Sequence, residues 1–272
     1  MSEISDYYDD FAKSGMLAYR IVGNPRIAKI AALAGNYLQE RSRVLEVGCG
    51  IGILTELMGQ QSRRGSVVGV DISAQAIDYA RKTVHLPNVR FLVGDVIDGQ
   101  PAIAQALHNA KFDILVCADV IEHIRLAKHA AVFAFLGTLL QDDAVIMLTY
   151  PHPESTTWNS RYRPEVLQPV DEVIHPEDIL KIARVLNARL VKYEEITVWE
   201  KNQYVHVVMT REAWARTSVN PKGAPLVFKL PKGLRQLYNI WKYIYLPFRD
   251  LTMVKGALQS LVSDKIRARG RG

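Results

Sequence analysis

The sequence predicts an α/β fold: a seven-stranded, mostly parallel sheet with an antiparallel last strand, N-terminal helices and a helical C-terminal appendage. Three observations point to it. Short apolar runs alternate with helical stripes from Val44 to Met209. The first run, Val44–Val47, breaks into glycines at alternate positions, Gly48, Gly50 and Gly52, and opens a helix over 53–60. Acids then close the second run and follow the third, Asp71 and Asp95, at strand ends where parallel sheets bind their ligands.

The 272 residues suffice for one large domain, or one domain and a small appendage. A polar, acidic start, Met1 to Asp10, predicts no signal peptide, and no apolar run approaches a membrane span. Two cysteines, Cys49 and Cys117, both at strand–loop junctions, predict reduced thiols and a cytoplasmic setting. The net charge of +6 is unevenly placed: 13 Lys and Arg against 3 acids from Arg211 onward, 21 against 25 before it. The basic character therefore belongs to the tail and predicts no nucleic-acid surface on the body. The expected organisation is a helical lid over 1–42, a catalytic domain over 43–210 and a basic appendage over 211–272.

In chain order, helices are expected up to Tyr19 and over 25–39, the second with Ile27, Ile30, Ala31, Ala34 and Leu38 on one face. Strands follow over 44–47, 66–71, 88–93, 111–117 and 143–149. The helix after strand two covers 74–83. Another begins at His123, with Ile124, Ala127, Ala131, Phe135 and Leu139 on one face. A long irregular insertion, about 150–175, precedes a helix opened by Pro176. Strands over 190–198 and 203–209 close the sheet as a hairpin. In the tail, Leu234, Leu237, Ile240, Trp241 and Ile244 form a helical stripe, and a second stripe starts at Leu251.

The glycine turn reads Glu-x-Gly-x-Gly-x-Gly. That is neither the spacing of a dinucleotide fingerprint nor a P-loop, which needs a Lys after its last glycine. The run Leu45 to Gly52 resembles the first motif of the class I S-adenosylmethionine-dependent methyltransferases, which have a Rossmann-like sheet. The segment Asp119-Val120-Ile121-Glu122-His123-Ile124 resembles that of the small-molecule enzymes of the ubiquinone-biosynthesis type. The resemblance implies S-adenosylmethionine as cofactor, with Glu46 near its amino group and Gly48, Cys49 and Gly50 around its methionine part. It implies Ile72 and Val96 against adenine, Asp95 at the adenine amine, and Cys117 and Ala118 beside the methionine and the acceptor. Asp71, 19 residues beyond Gly52, suits a ribose diol; alone it would read as a helix cap.

In such enzymes an N-terminal tyrosine-rich segment is often a lid, which nominates Tyr8 and Tyr19, and the insertion caps the acceptor, which nominates Tyr150 and Trp158. Proton removal from an acceptor calls for a base near neutral pH, and His123, His152 and His175 are the candidates. Asp171, Glu172 and His175 are too loosely spaced to assign a metal. The expected partner is a small organic acceptor, methylated on oxygen. The tail suits a peripheral membrane contact or packing on the body, and a homodimer is admitted; no nucleic-acid partner is expected. A nicotinamide-dependent oxidoreductase is disfavoured by the glycine spacing and the missing Tyr-x-x-x-Lys pair. A non-catalytic adenosine-binding or scaffold protein is the other alternative.

Overall fold

The computed structural model describes residues 3–11, 17–108, 110–211, 236, 239–240 and 242–243. Short helices come first: α1 (Glu3–Phe11), α2 (Leu17–Val22) and α3 (Pro25–Gly35). Asn24 starts α3 by accepting from the Arg26 and Ile27 amides, and Pro25 supplies its first turn. The helix stops at Gly35, short of the expected 39. Ile30, Ala31, Ala34 and Leu38 are buried as the stripe predicts, while Ile27 is half-buried.

The sheet holds β1 (Arg43–Val47), β2 (Ser66–Asp71), β3 (Val89–Val93), β4 (Phe112–Ala118), β5 (Leu140–Pro151), β6 (Arg189–Ile196) and β7 (Tyr204–Thr210). Its order is β3-β2-β1-β4-β5-β7-β6. The first five strands pair in parallel, and β7 inserts antiparallel between β5 and β6. The order reverses between β1 and β4, so the loops leaving their carboxyl ends diverge and open a crevice.

Helices cover both faces. On one, Leu45, Leu115, Ile146 and Val207 pack with Ile103, Phe133, Leu136 and Ile182 from α6 (Gln100–Leu107), α7 (Leu126–Thr138) and α9 (Pro176–Val185). On the other, Val44, Val67, Val116 and Met147 meet Ile30 and Ala34 of α3 and Leu54 and Met58 of α4 (Ile53–Gln61). Each such side chain contributes about 2 kcal/mol on burial, which outweighs helix propensity in deciding which face turns inward. Helix α5 (Ala74–Thr83) is capped by Ser73, whose Oγ accepts from the Ala76 amide, and not by Asp71.

Several elements differ from expectation. Helix α6 has no predicted counterpart; it buries only Ile103 and Leu107 and follows Gly99 with a Pro. A 3-10 turn over Ile121–His123 delays α7 to Leu126, and the buried face is His129, Val132, Phe133 and Leu136. Ala127 and Ala131, expected inward, are exposed. The insertion contains α8 (Pro153–Tyr162) and a 3-10 turn, Pro164–Val166. No helix among the described residues is long and apolar enough to cross a membrane. Of the tail stripes, only Ile240 falls among the described residues, and it is buried; the remaining stripe residues lie outside them.

Candidate active site

The glycine turn follows β1 directly. Gly48, Gly50 and Gly52 take φ of +71°, +51° and +74°, the left-handed region that side chains disfavour. Space adds to the requirement. A Cβ on Gly48 would lie 2.2 Å from Val120 Cγ2, and one on Gly52 would lie 2.7 Å from Phe91 Cζ. The Gly48 and Cys49 amides donate to Val70 O at 2.8 and 3.1 Å, binding the turn to β2. Gly50 N donates to Asp71 Oδ2 at 2.7 Å and Ser73 N to Oδ1 at 2.9 Å, so one carboxylate fixes both loops.

A cavity of about 710 Å³ opens beside this turn. Glu46, Gly48, Cys49 and Gly50 form one wall, and Asp71, Ile72, Asp95 and Val96 extend it along the ends of β2 and β3. Tyr8, Tyr19, Ala118 and His123 also border it. These twelve candidates, drawn from six separate stretches, meet in one space.

The turn end is acidic and dry. Glu46 is 2% exposed and accepts from Thr55 Oγ1 at 2.5 Å. Burial pushes its carboxyl up to about 8, against the Thr55 hydrogen bond and helped by the nearby Asp71. Burial also raises Asp71, against its amide donors. Asp95 accepts from the Ile97 amide at 2.7 Å, which shapes the loop after β3.

The segment leaving β4, which touches the glycine turn through Val120, brings Asp119, Glu122 and His123 to the cavity, and of these only His123 was a candidate from the sequence. Asp119 has φ +55°, an uncommon conformation for a non-glycine residue. Its Oδ2 pairs with Arg26 Nε at 2.8 Å, and its Oδ1 accepts from Thr149 Oγ1 at 3.2 Å. Arg26 Nη1 also donates to Tyr204 OH at 3.1 Å. His123 Nδ1 donates to Val170 O at 2.8 Å and stands 3.1 Å from Asp171 Oδ1. Its Nε2 lies 3.8 Å from Glu122 Oε1. Burial alone would depress the imidazole; Glu122 and Asp171 raise it to about 9. Burial drives the Glu122 carboxyl upward as well, and its Oε2 has no hydrogen-bond partner. The Tyr8 ring lies 6.2 Å from that of His123.

Five candidates lie elsewhere. Cys117 points into the core with α6 and α7, because side chains on β4 alternate and Ala118 takes the cavity side. Tyr150 is buried in the same core. Trp158 is half-exposed and stacks on Tyr162 along α8. His152 caps α8: its Nδ1 accepts from the Glu154 amide at 3.3 Å, and its Nε2 lies 3.5 Å from Glu195 Oε1. His175 is the exposed N-cap of α9, its amide donating to Asp178 Oδ2 at 3.1 Å. Asp171, Glu172 and His175 do not converge, since Asp171 turns to His123 and Glu172 to Arg125. Among the described residues no three His, Cys, Asp or Glu side chains gather as a metal site.

The sequence pattern of a methyltransferase-domain family matches residues 19–216. The chain belongs to that methyltransferase family. The methyltransferase is 29% identical to the ubiquinone biosynthesis O-methyltransferase of Pasteurella multocida (strain Pm70) over 142 residues, 50% of this chain and 56% of the other. It is 38% identical to the Aromatoleum aromaticum enzyme of the same name over 101 residues, 36% of this chain and 37% of the other. The chain thus spans about half, or less, of the length of these relatives. Its fold resembles the magnesium protoporphyrin IX methyltransferase from Synechocystis PCC 6803, at a TM-score of 0.56 and 18% identity over 77% of this chain and 100% of the other. It also resembles a cyclopropane synthase from Mycobacterium tuberculosis, at 0.56 and 18% over 71% and 78%.

Proposed function

We propose that this methyltransferase uses S-adenosylmethionine to methylate an oxygen atom of a small organic acceptor. One observation carries the reading: Glu46 and Asp71 converge on a turn of three left-handed glycines at the wall of a cavity that Asp119, Glu122, His123 and Asp171 also line. The residues fit the cofactor. A buried, proton-holding carboxyl at Glu46 suits an ammonium, because a cation beside it restores the ionised form. Asp71 keeps lone pairs for a ribose diol, since a carboxylate offers more acceptor sites than its two amide donors fill. Ile72 and Val96 offer apolar surface beside Asp95. Arg26, held by Asp119 and Tyr204, and Arg163 are the arginines among the described residues that line the cavity. When bound, the cofactor supplies an electrophilic methyl group on a sulfonium.

The chain's own part is orientation and proton handling. His123, raised to about 9, is cationic at neutral pH and therefore a donor rather than a free base. Burial raises the Glu122 carboxyl too, so it serves as base from its ionised fraction, which the cationic His123 beside it favours; its Oε2 is without a partner, and we assign the acceptor's proton to it. The names of the relatives support oxygen as the methylated atom. The test offers methyl-labelled S-adenosylmethionine and a panel of phenols, catechols and carboxylic acids. Label in the organic extract, lost on Glu122→Gln, is expected. Calorimetric binding of NADH with none of S-adenosylmethionine would overturn the reading.

A further inference from the structure

We propose that the C-terminal segment carrying Asn239, Lys242 and Tyr243 is part of the cofactor cradle: Lys242 and Tyr243 are positioning residues that act through Glu56 and Arg20 on the glycine turn. The proposal rests on the reading of that turn as the cofactor site.

The chain of contacts begins inside the turn. Arg20 Nη2 donates to Ile51 O at 2.5 Å, between Gly50 and Gly52. The Arg20 side chain is only 2% exposed, so its charge requires a fixed counter-ion. Glu56, in the first turn of α4, provides it at 2.6 Å through Oε2. One carboxylate then serves three donors: Tyr243 OH also reaches Oε2 at 2.9 Å, and Lys242 Nζ reaches Oε1 at 2.9 Å. The Tyr243 ring lies 4.3 Å from the Arg20 guanidinium carbon and covers it from water.

The segment is fixed at its other contacts too. Tyr79 OH, on α5, donates to Tyr243 O at 2.6 Å. Asn239 Nδ2 donates to Arg20 O at 3.1 Å and Ile21 O at 3.4 Å, two carbonyls in the last turn of α2. Asn239, Ile240 and Tyr243 are buried. A piece of chain near the C-terminus thereby joins α2, the start of α4 and α5, the three helices behind the cofactor wall. A buried network of this kind is cooperative: loosening the outer members lets water reach Arg20 and frees the Ile51 carbonyl.

The experiment uses the full-length chain as wild type, Tyr243→Phe, Lys242→Met, the double variant, and Lys242→Arg. Two readouts are taken: S-adenosylhomocysteine affinity by calorimetry, and hydrogen exchange of residues 48–56 without ligand. The double variant should bind about tenfold more weakly, as expected when a charge-bearing network loses two donors. Exchange over 48–56 should quicken, and Lys242→Arg should behave as wild type. If the double variant does not fold, Tyr243→Phe carries the test, with a few-fold loss expected. A folded double variant that binds like wild type overturns the proposal. So does faster exchange confined to residues 236–243, which marks a segment that merely packs. A wild-type chain that binds no S-adenosylhomocysteine would overturn the functional reading and this one together; binding by wild type with unchanged variants overturns this one alone.

Discussion

Binding of S-adenosylmethionine at pH 7 should release close to one proton per chain, and Glu46 should be its source. With a carboxyl near 8, Glu46 is about 0.9 protonated at pH 7 in the free protein. An ammonium beside it favours the ionised form. A return to about 5 is a shift of roughly three units, or about 4 kcal/mol of coupling between ligand and deprotonation. Linkage then requires affinity to rise with pH, by about eightfold between pH 6 and pH 7, because the free site must give up the proton that the complex does not hold. Calorimetric titration in buffers of different ionisation enthalpy reads the proton directly. Glu46→Gln should release none and bind with the same affinity at both pH values. A wild-type enthalpy independent of buffer, or an unchanged release in Glu46→Gln, would refute the assignment.

Three further expectations follow from single side chains. Gly48→Ala places a Cβ against Val120 at a left-handed φ and should destabilise the fold by about 2–3 kcal/mol in urea; the added Val120→Ala should restore the steric part. His152→Ala should cost about 1 kcal/mol of stability as a lost cap while kcat stays within about twofold, and a larger fall in kcat would return His152 to the chemistry. Stability should fall as pH rises from about 6.5 to about 9. His123 holds its proton more tightly folded than unfolded, so its contribution is complete below the unfolded value and lost through the folded one. His123 accounts for about 3 kcal/mol of the loss in denaturant titrations, a part that should be missing in His123→Gln while the raised carboxyls of Glu46 and Glu122 keep theirs.

The sheet and the meeting of Glu46, Gly48, Gly50, Asp71 and Asp95 at one cavity were legible because both rest on short-range signals. Glu46, the glycines, Asp71 and Asp95 each stand at a fixed step from a strand end, and strand ends are easy to find in buried runs of Val, Leu and Ile. The pairings of Arg26 with Asp119 and of His123 with Asp171 were not legible, because they form between distant segments. Arg26 reads as an ordinary helix-start residue until Asp119 faces it, and Asp171 reads as loop until His123 does. The histidines show the same limit. His152 and His175 each precede a proline that opens a helix, so capping competes with catalysis for the same residue type. Alternation misled at Cys117: a residue at the end of a central strand faces the ligand or the core by parity alone, and its neighbour Ala118 has the other parity. Helix α6 was missed because two buried residues in eight leave little periodic signal.

The position of β7 sets the order in which this protein can assemble. Strands β1 to β5 need only one another, so that part of the sheet can form before the rest of the chain is synthesised. Strand β6 cannot join, because among the described residues its one neighbour is β7, which comes later. Until residue 210 is available, β5 presents an unpaired edge over residues 145–151. Every residue of β7 is buried in the finished sheet, so its arrival both closes that edge and recruits β6. The hairpin between β6 and β7 is therefore the last step of sheet assembly, and slowing it should expose the β5 edge to aggregation and leave Arg26 without Tyr204 in the cavity wall.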